Sequence, residues 1–294
     1  MVADNETSSY TPRPAQSSAF LQIPDDLSII ESDERTQSCM ADMACMREIF
    51  LMWTLGNDHE ERPAEYEGLG IFKAEGPMVV KVVGDATSEE GNDGILRGLM
   101  DTIAVLRSAG MQITTTSIER PRNSEPLGPA NVIVFVSDDF YRDQHGRFAR
   151  VLEEDFHDGH QDYEKMLIRQ HRPRAVCTLR LFADGNMIVV SAAIMIPGDL
   201  PRGEMRLCFY EEIIQALGPA NDFREPLLST FTDNENVPWF SDFDYLLTRL
   251  FFHPMVKPGM SRDEIIGIFP RLYQIVTTST PFCLSFDDCL EEFL

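Results

Sequence analysis

The sequence predicts an α+β fold, a mixed sheet backed by helices, on three observations. Between residues 70 and 217 the patterning runs strand, helix, strand, strand, hairpin and helix. Beyond Gly218 strand signals stop and helical ones replace them. The 294 residues are 43% hydrophobic and 25% charged, a composition that can bury a sizeable core. The chain accordingly divides into an acidic, Ser- and Pro-rich mobile arm over residues 1–37, an α+β N-terminal subdomain over 38–218, and a mainly helical C-terminal subdomain over 219–294. The arm carries too few apolar groups to offset the entropy of ordering it.

Each element follows from local pattern. From Cys39 to Leu55, Met43, Met46, Phe50 and Trp53 recur at helical spacing, and Gly56-Asn57 stops the helix. Gly70 to Val83 reads as one strand, with Pro77 suited to its start or to an edge and Val79-Val80-Lys81-Val82-Val83 as its buried part. Gly94 to Ala109 is an amphipathic backing helix with Ile95, Leu99, Ile103 and Leu106 on one side and Gly110 after it. Ile113–Ile118, Asn131–Ser137, Arg174–Ala183 and Met187–Ile196 are β-rich, and Asp184-Gly185 joins the last two as a hairpin. Phe148 to Arg169 reads as helix with a break near Asp158-Gly159, and Glu204 to Leu217 as a second helix. Asp242 to Phe252 has an apolar stripe of Phe243, Leu246, Leu247 and Leu250. Ser261 and Glu264 form the pattern of a capping box that opens a helix reaching to about Tyr273.

Charge and cysteine content narrow the function classes. With 25 basic and 48 acidic residues the formal net charge is −23, which repels phosphate backbones and anionic lipid, so no nucleic-acid partner is expected. No apolar run approaches the roughly 20 residues of a bilayer span, so no integral membrane segment is expected. The numbered chain opens without the basic and apolar regions of a signal peptide. The six cysteines form an even set, which favours disulfides. Two pairs, Cys39/Cys45 and Cys283/Cys289, lie six positions apart. On a continuous helix six residues rise about 9 Å, too far for a bridge, so such a pair bonds only where its segment turns. The 283–289 stretch looks turn-capable and the 39–45 stretch helical. No C-x-x-C spacing occurs and no histidine lies within five positions of a cysteine, which argues against a cysteine zinc cluster.

The stretch that bears on chemistry runs from Cys208 to Asp222. It places Glu211 and Glu212 side by side, Gln215 four residues after Glu211, then Gly218, Asn221 and Asp222. Downstream lie Leu228-Ser229-Thr230-Phe231-Thr232-Asp233 and a helix opening at Ser241-Asp242. These offsets resemble H-E-x-x-H-x-x-G-x-x-H/D of the metzincin-type zinc peptidases, in which two histidines share a helix face, a glutamate is the general base, and a glycine turns the chain to a third ligand. The closer resemblance is to an uncharacterised bacterial family of metzincin-like proteins. It is carried by the run E-E-x-x-Q-x-L-G-x-x-N-D, by S-x-F-x-D (Ser229, Phe231, Asp233) and by Pro258-Gly259-Met260, and it covers roughly residues 70 to 275. It implies a zincin-like fold with a motif helix and, for many relatives, an extracytoplasmic location; it implies no established activity.

The departure from the motif decides the chemistry expected. Glu211, Gln215 and Asn221 replace the three histidines, and amide oxygens are weak donors where zinc selects imidazole nitrogen. Zinc proteolysis is therefore not expected. A divalent cation that accepts oxygen ligands, such as Mg²⁺, Ca²⁺ or Mn²⁺, suits Glu211, Gln215 and Asn221, with Glu212 as catalytic base and Asp222, Ser229 and Asp233 lining the cleft. A metal-free variant uses paired carboxylates as acid and base. A purely structural account makes Glu211 and Glu212 helix-face acids and Asn221 and Asp222 turn residues. Three functions follow as expectations: a degenerate, inactive peptidase relative that binds a protein or peptide, a hydrolase using another metal or the carboxylates, and a structural component of an envelope or particle. Other signals are weaker. His157 and His160 with Asp155 and Asp162 fit no standard metal spacing, and neither phosphate-loop nor dinucleotide glycine motif occurs.

Overall fold

The structure, a computed structural model, describes residues 21, 29–55, 70–84, 86, 88–115, 131–137, 177–219, 221, 222, 226–232 and 240–281. Among these residues a single mixed sheet is covered by helices, in the order α1 (Glu34–Ala41), α2 (Met43–Leu55), β1 (Lys73–Ala74), β2 (Met78–Gly84), α3 (Glu89–Ser108), β3 (Ile113–Thr115), β4 (Val132–Ser137), β5 (Thr178–Ala183), β6 (Ile188–Pro197), α4 (Arg202–Ala216), α5 (Asp242–Phe252) and α6 (Arg262–Thr278). The sheet is mostly parallel. β3, β2, β4 and β6 lie side by side in one direction, β1 pairs in parallel with the start of β6, and β5 alone runs antiparallel, on β6. The mixed sheet and backing helix anticipated from sequence are thus present.

The strand over 70–83 is not continuous. It splits at Glu75-Gly76-Pro77, where Gly76 takes a φ of 79° and Pro77 lacks the N–H a ladder needs. The first half joins β6 and the second joins β3 and β4, so the split places Lys73 and the start of β2 at different points of the sheet. β2 and β4 are buried on both faces, as parallel strands are. The β5–β6 hairpin turns as expected at Asp184. The Asp184 carboxylate accepts from the backbone N–H of Asn186 and of Ile188 (2.8 and 3.0 Å), and Met187, not a glycine, carries the positive φ of 63°.

α3 starts at Glu89, five residues before the apolar pattern, because the Ser88 side chain caps it by accepting from the Gly91 N–H at 3.0 Å. It ends before Gly110, whose φ is 94°. Gly94 and Gly98, one turn apart, face α4: a Cβ on Gly98 would lie 2.9 Å from the Phe209 side chain and 3.1 Å from the Arg206 backbone. Small residues here let the two helix backbones approach closely.

The predicted helix from Cys39 to Leu55 is broken at Asp42, which is extended (φ −99°, ψ 105°) and whose carboxylate accepts from the Ala44 N–H. The break brings the Cα atoms of Cys39 and Cys45 to 5.3 Å, and the two form a disulfide. Met46, Phe50 and Trp53 are buried as expected, whereas Met43 is 39% exposed. A second disulfide, Cys177–Cys208, ties the start of β5 to α4. Cys283 and Cys289 lie outside the described residues, as do the helix expected over Phe148–Arg169 and residues 116–118 and 174–176 of two expected strands.

The end of the predicted arm is ordered, which corrects the boundary at 37. Ile30 donates its N–H to the Phe240 carbonyl and accepts from the Asp242 N–H, the Ser32 N–H and hydroxyl donate to the Asp242 carboxylate, and α1 begins at Glu34. Two isoleucines, both buried, and a cap from Asp33 suffice to anchor a segment whose average composition is polar. The rest of that arm, apart from Leu21, lies outside the described residues. Residues after 218 contribute α5, with the predicted boundaries, and α6, which runs to Thr278 rather than to about Tyr273; each opens with a capping box, Ser241/Asp244 and Ser261/Glu264. One cluster of buried apolar residues includes Val134 and Ile194 of the sheet, Phe209 of α4, and Leu247 and Phe269 of the last two helices. No helix among the described residues is long and apolar enough to cross a membrane.

Candidate acidic site at the end of helix α4

α4 is enclosed on nearly all sides. Met205, Cys208, Phe209, Tyr210, Ile213, Ile214 and Ala216 are buried, and so are two polar residues in its last two turns, Glu212 and Gln215, each 6% exposed. The helix packs on α3 through the Gly94–Gly98 face and stacks Tyr210 on Phe240 (4.8 Å between ring centroids). Gly218 then turns the chain. Its φ of 141° is closed to most side chains, and a Cβ there would lie 2.2 Å from the Phe72 carbonyl oxygen. Ala74 donates its N–H to the Leu217 carbonyl at 2.8 Å, so strand β1 fixes the helix end.

The turn carries Asn221 and Asp222 back to the helix. Gln215 Nε2 donates to Asp222 Oδ1 at 2.6 Å, and the charge of Asp222 acts on Glu212. Burial first, and the charge of half-buried Asp222 second, push the Glu212 carboxyl up to about 8, so at neutral pH the Glu212–Asp222 pair holds one proton between two carboxyl groups. The arrangement is an acid beside a carboxylate with an amide fastening the latter. Asn221 is fastened elsewhere: its Nδ2 donates to the Trp53 carbonyl of α2 at 3.1 Å. Glu211 is half-buried and about 100° round the helix from Glu212.

Ser229 takes a different course. It is fully buried, and its hydroxyl donates to Asp244, which also accepts from the Thr230 N–H (3.1 Å), the Ser241 N–H (2.9 Å) and the Ser241 hydroxyl (2.9 Å). Burial raises the Asp244 carboxyl to about 6 against the pull of these donors. The 229–232 turn meets α2 through Phe231, whose ring lies 4.7 Å from that of Trp53 and 6.2 Å from that of Phe240, which in turn stacks on Tyr210 of α4. Asp233 lies outside the described residues, as do His157 and His160.

Of the residues singled out in sequence, the fold brings together Glu212, Gln215 and Asp222, turns Asn221 toward α2, and sets Ser229 in the network around Asp244. Among the described residues no group of three or more His, Cys, Asp or Glu side chains is arranged to hold a metal ion. The carboxylate partner of Glu212 is Asp222, not the neighbouring Glu211. The signal for this was present, since Glu212 and Asp222 flank a glycine that reverses the chain. The Trp53 carbonyl, 168 residues from Asn221, left no signal. β6 is paired on both edges, by β5 on one and by β1 and β4 on the other, so it offers no free edge to an extended chain; β5 has no second strand partner among the described residues.

The family described as protein of unknown function (DUF2927) matches residues 31–271. No curated protein and no solved structure matches the chain.

Proposed function

Because the chain belongs to the DUF2927 family of proteins of unknown function, we propose its role from the site itself: a degenerate metallopeptidase-like protein that binds an extended protein or peptide without zinc chemistry. The observation that carries this reading is the cluster of Glu212, Gln215 and Asp222 around the Gly218 turn. In this reading α4 and the Gly218 turn are the motif helix and its bend, and of the residues at the three histidine offsets Gln215 is bonded to Asp222 and Asn221 to the Trp53 carbonyl of α2. The order of a parallel sheet, a hairpin and then the motif helix supports a zincin-like ancestry, and so does the 229–232 turn packed against α2 through Phe231. Half-buried Leu179 and Leu181 of β5 are the apolar side chains on which an extended chain would dock. Two disulfides fit an oxidising, extracytoplasmic compartment.

Binding of a fluorescent peptide library to the oxidised protein tests this. Saturable binding that is weakened when aspartate replaces Leu179 and Leu181 is the expected outcome, because the charges remove the apolar side chains on which the peptide docks. Absence of saturable binding refutes the reading. A second reading, a metal-free hydrolase, is favoured by the Glu212–Asp222 pair holding one proton, the pairing used where one carboxyl must donate and another accept a proton. Peptide or ester hydrolysis abolished by Glu212→Gln, with chelator without effect, would support it; turnover equal in the variant would end it.

A further inference from the structure

A second site lies beside β1, at the end of the sheet where β2 and β3 begin. There a cavity of about 400 Å³ opens between β1, the Gly110–Gln112 turn and the segment after α5. Met111, Phe252 and Val256 are buried in its floor and Pro254 forms part of its exposed rim. Lys73 also lines it, 6% exposed, while Lys257, Glu75 and Gln112 stand exposed at its mouth. Only four of the chain's 25 basic residues are lysines, Lys73, Lys81, Lys165 and Lys257, and two of them meet here. Arginine cannot lose its proton in a protein, whereas a buried lysine can.

The Lys73 amine is held among protein groups, without a carboxylate of the described residues bonded to it and with Nζ 5.6 Å from the centre of the Phe251 ring. Nζ donates to two backbone carbonyls, Val256 at 2.7 Å and His253 at 3.2 Å. Two donors are what an uncharged amine has, and with both engaged its lone pair is left over. Burial, then the positive charge of Lys257, bring the Lys73 amine down to about 7, with Glu75 opposing. His253, itself lowered by burial and by Lys73 and Arg249, adds no anion to hold the ammonium form. Desolvation together with a neighbouring cation is the setting in which lysine becomes a nucleophile.

We propose that Lys73 is a nucleophilic amine that forms a reversible imine with a small aliphatic aldehyde or ketone bound in this cavity. Nζ attacks the carbonyl carbon and the N–C bond forms as the C=O electron pair moves to oxygen. Nζ gives up its two protons to that oxygen, which leaves as water as the C=N bond forms, and hydrolysis reverses each step. The apolar floor accommodates the alkyl part of the ligand.

The test uses the full-length oxidised protein with butanal at pH 7, cyanoborohydride to reduce any imine to a stable amine, and peptide mapping by mass spectrometry. At that pH about half of the Lys73 amine is free base, against well under one part in a thousand for an ordinary lysine. Labelling of Lys73 at least about tenfold faster than Lys257, saturating with butanal and half-maximal near pH 7, is expected. Lys73→Arg should remove the saturable label while circular dichroism is unchanged. If that variant does not fold, the site selectivity in the unmodified chain still decides. If Lys73 is labelled no faster than Lys257, or linearly with butanal, it is only a charged cap on the carbonyls after α5 and the proposal falls.

Discussion

Replacing Glu212 by glutamine should remove a pH dependence of stability that the fold creates. In the unfolded chain this carboxyl titrates near 4.5, and in the folded protein burial and Asp222 hold it near 8. Between those values the folded state binds more protons than the unfolded state, so stability must fall as pH rises. The contribution is fully present below about pH 4.5 and lost as pH passes 8. The gap is worth up to about 5 kcal/mol, or about 1.4 kcal/mol per pH unit between, with the proton belonging to the Glu212–Asp222 pair as a whole. Glutamine keeps the shape and a hydrogen-bonding head but cannot ionise. Urea unfolding followed by tryptophan fluorescence suits the measurement, since Trp53 is fully buried. The stability of the unmodified protein minus that of Glu212→Gln should decline by several kcal/mol from pH 5 to pH 8.5. Taking this difference removes the slopes of other groups, among them Lys73, whose lowered amine works in the opposite sense and adds stability as pH rises above 7. A difference that stays flat across that range would refute the burial of Glu212 beside Asp222, and with it the acid–carboxylate pair.

Three further outcomes follow from the same geometry. Asp244→Ala should destabilise the protein by about 3–5 kcal/mol in urea unfolding, because it strands the buried donors of Ser229, Thr230 and Ser241 together. Removing the Cys177–Cys208 disulfide as a Cys→Ser pair should cost about 1 kcal/mol more than removing Cys39–Cys45, since it closes a loop with a sequence separation of 31 rather than 6; equal midpoints would count against the chain-entropy account. Gly218→Ala should lower the melting temperature by several degrees or more, because its Cβ would overlap the Phe72 carbonyl at a backbone angle that alanine avoids, while Gly267→Ala, at a position with open space, should not.

What the sequence determined by itself were features whose cause lies within a few residues. The apolar stripe of Asp242–Phe252, the capping box at Ser261, the hairpin at Asp184 and the glycine stops at Gly110 and Gly218 all depend on neighbours one to four positions away, and each appears in the structure where spacing places it. The tertiary structure alone decided the partners of polar groups and the breaks in regular elements. The Cys39–Leu55 helix is interrupted at Asp42, where a disulfide closes, and the strand over 70–83 is divided between two neighbours in the sheet. Asn221 reaches the Trp53 carbonyl, and Lys73 loses its water under carbonyls 180 and 183 residues away. Desolvation and hydrogen-bond pairing depend on which distant segments close over a side chain, and periodicity along the chain carries no record of that.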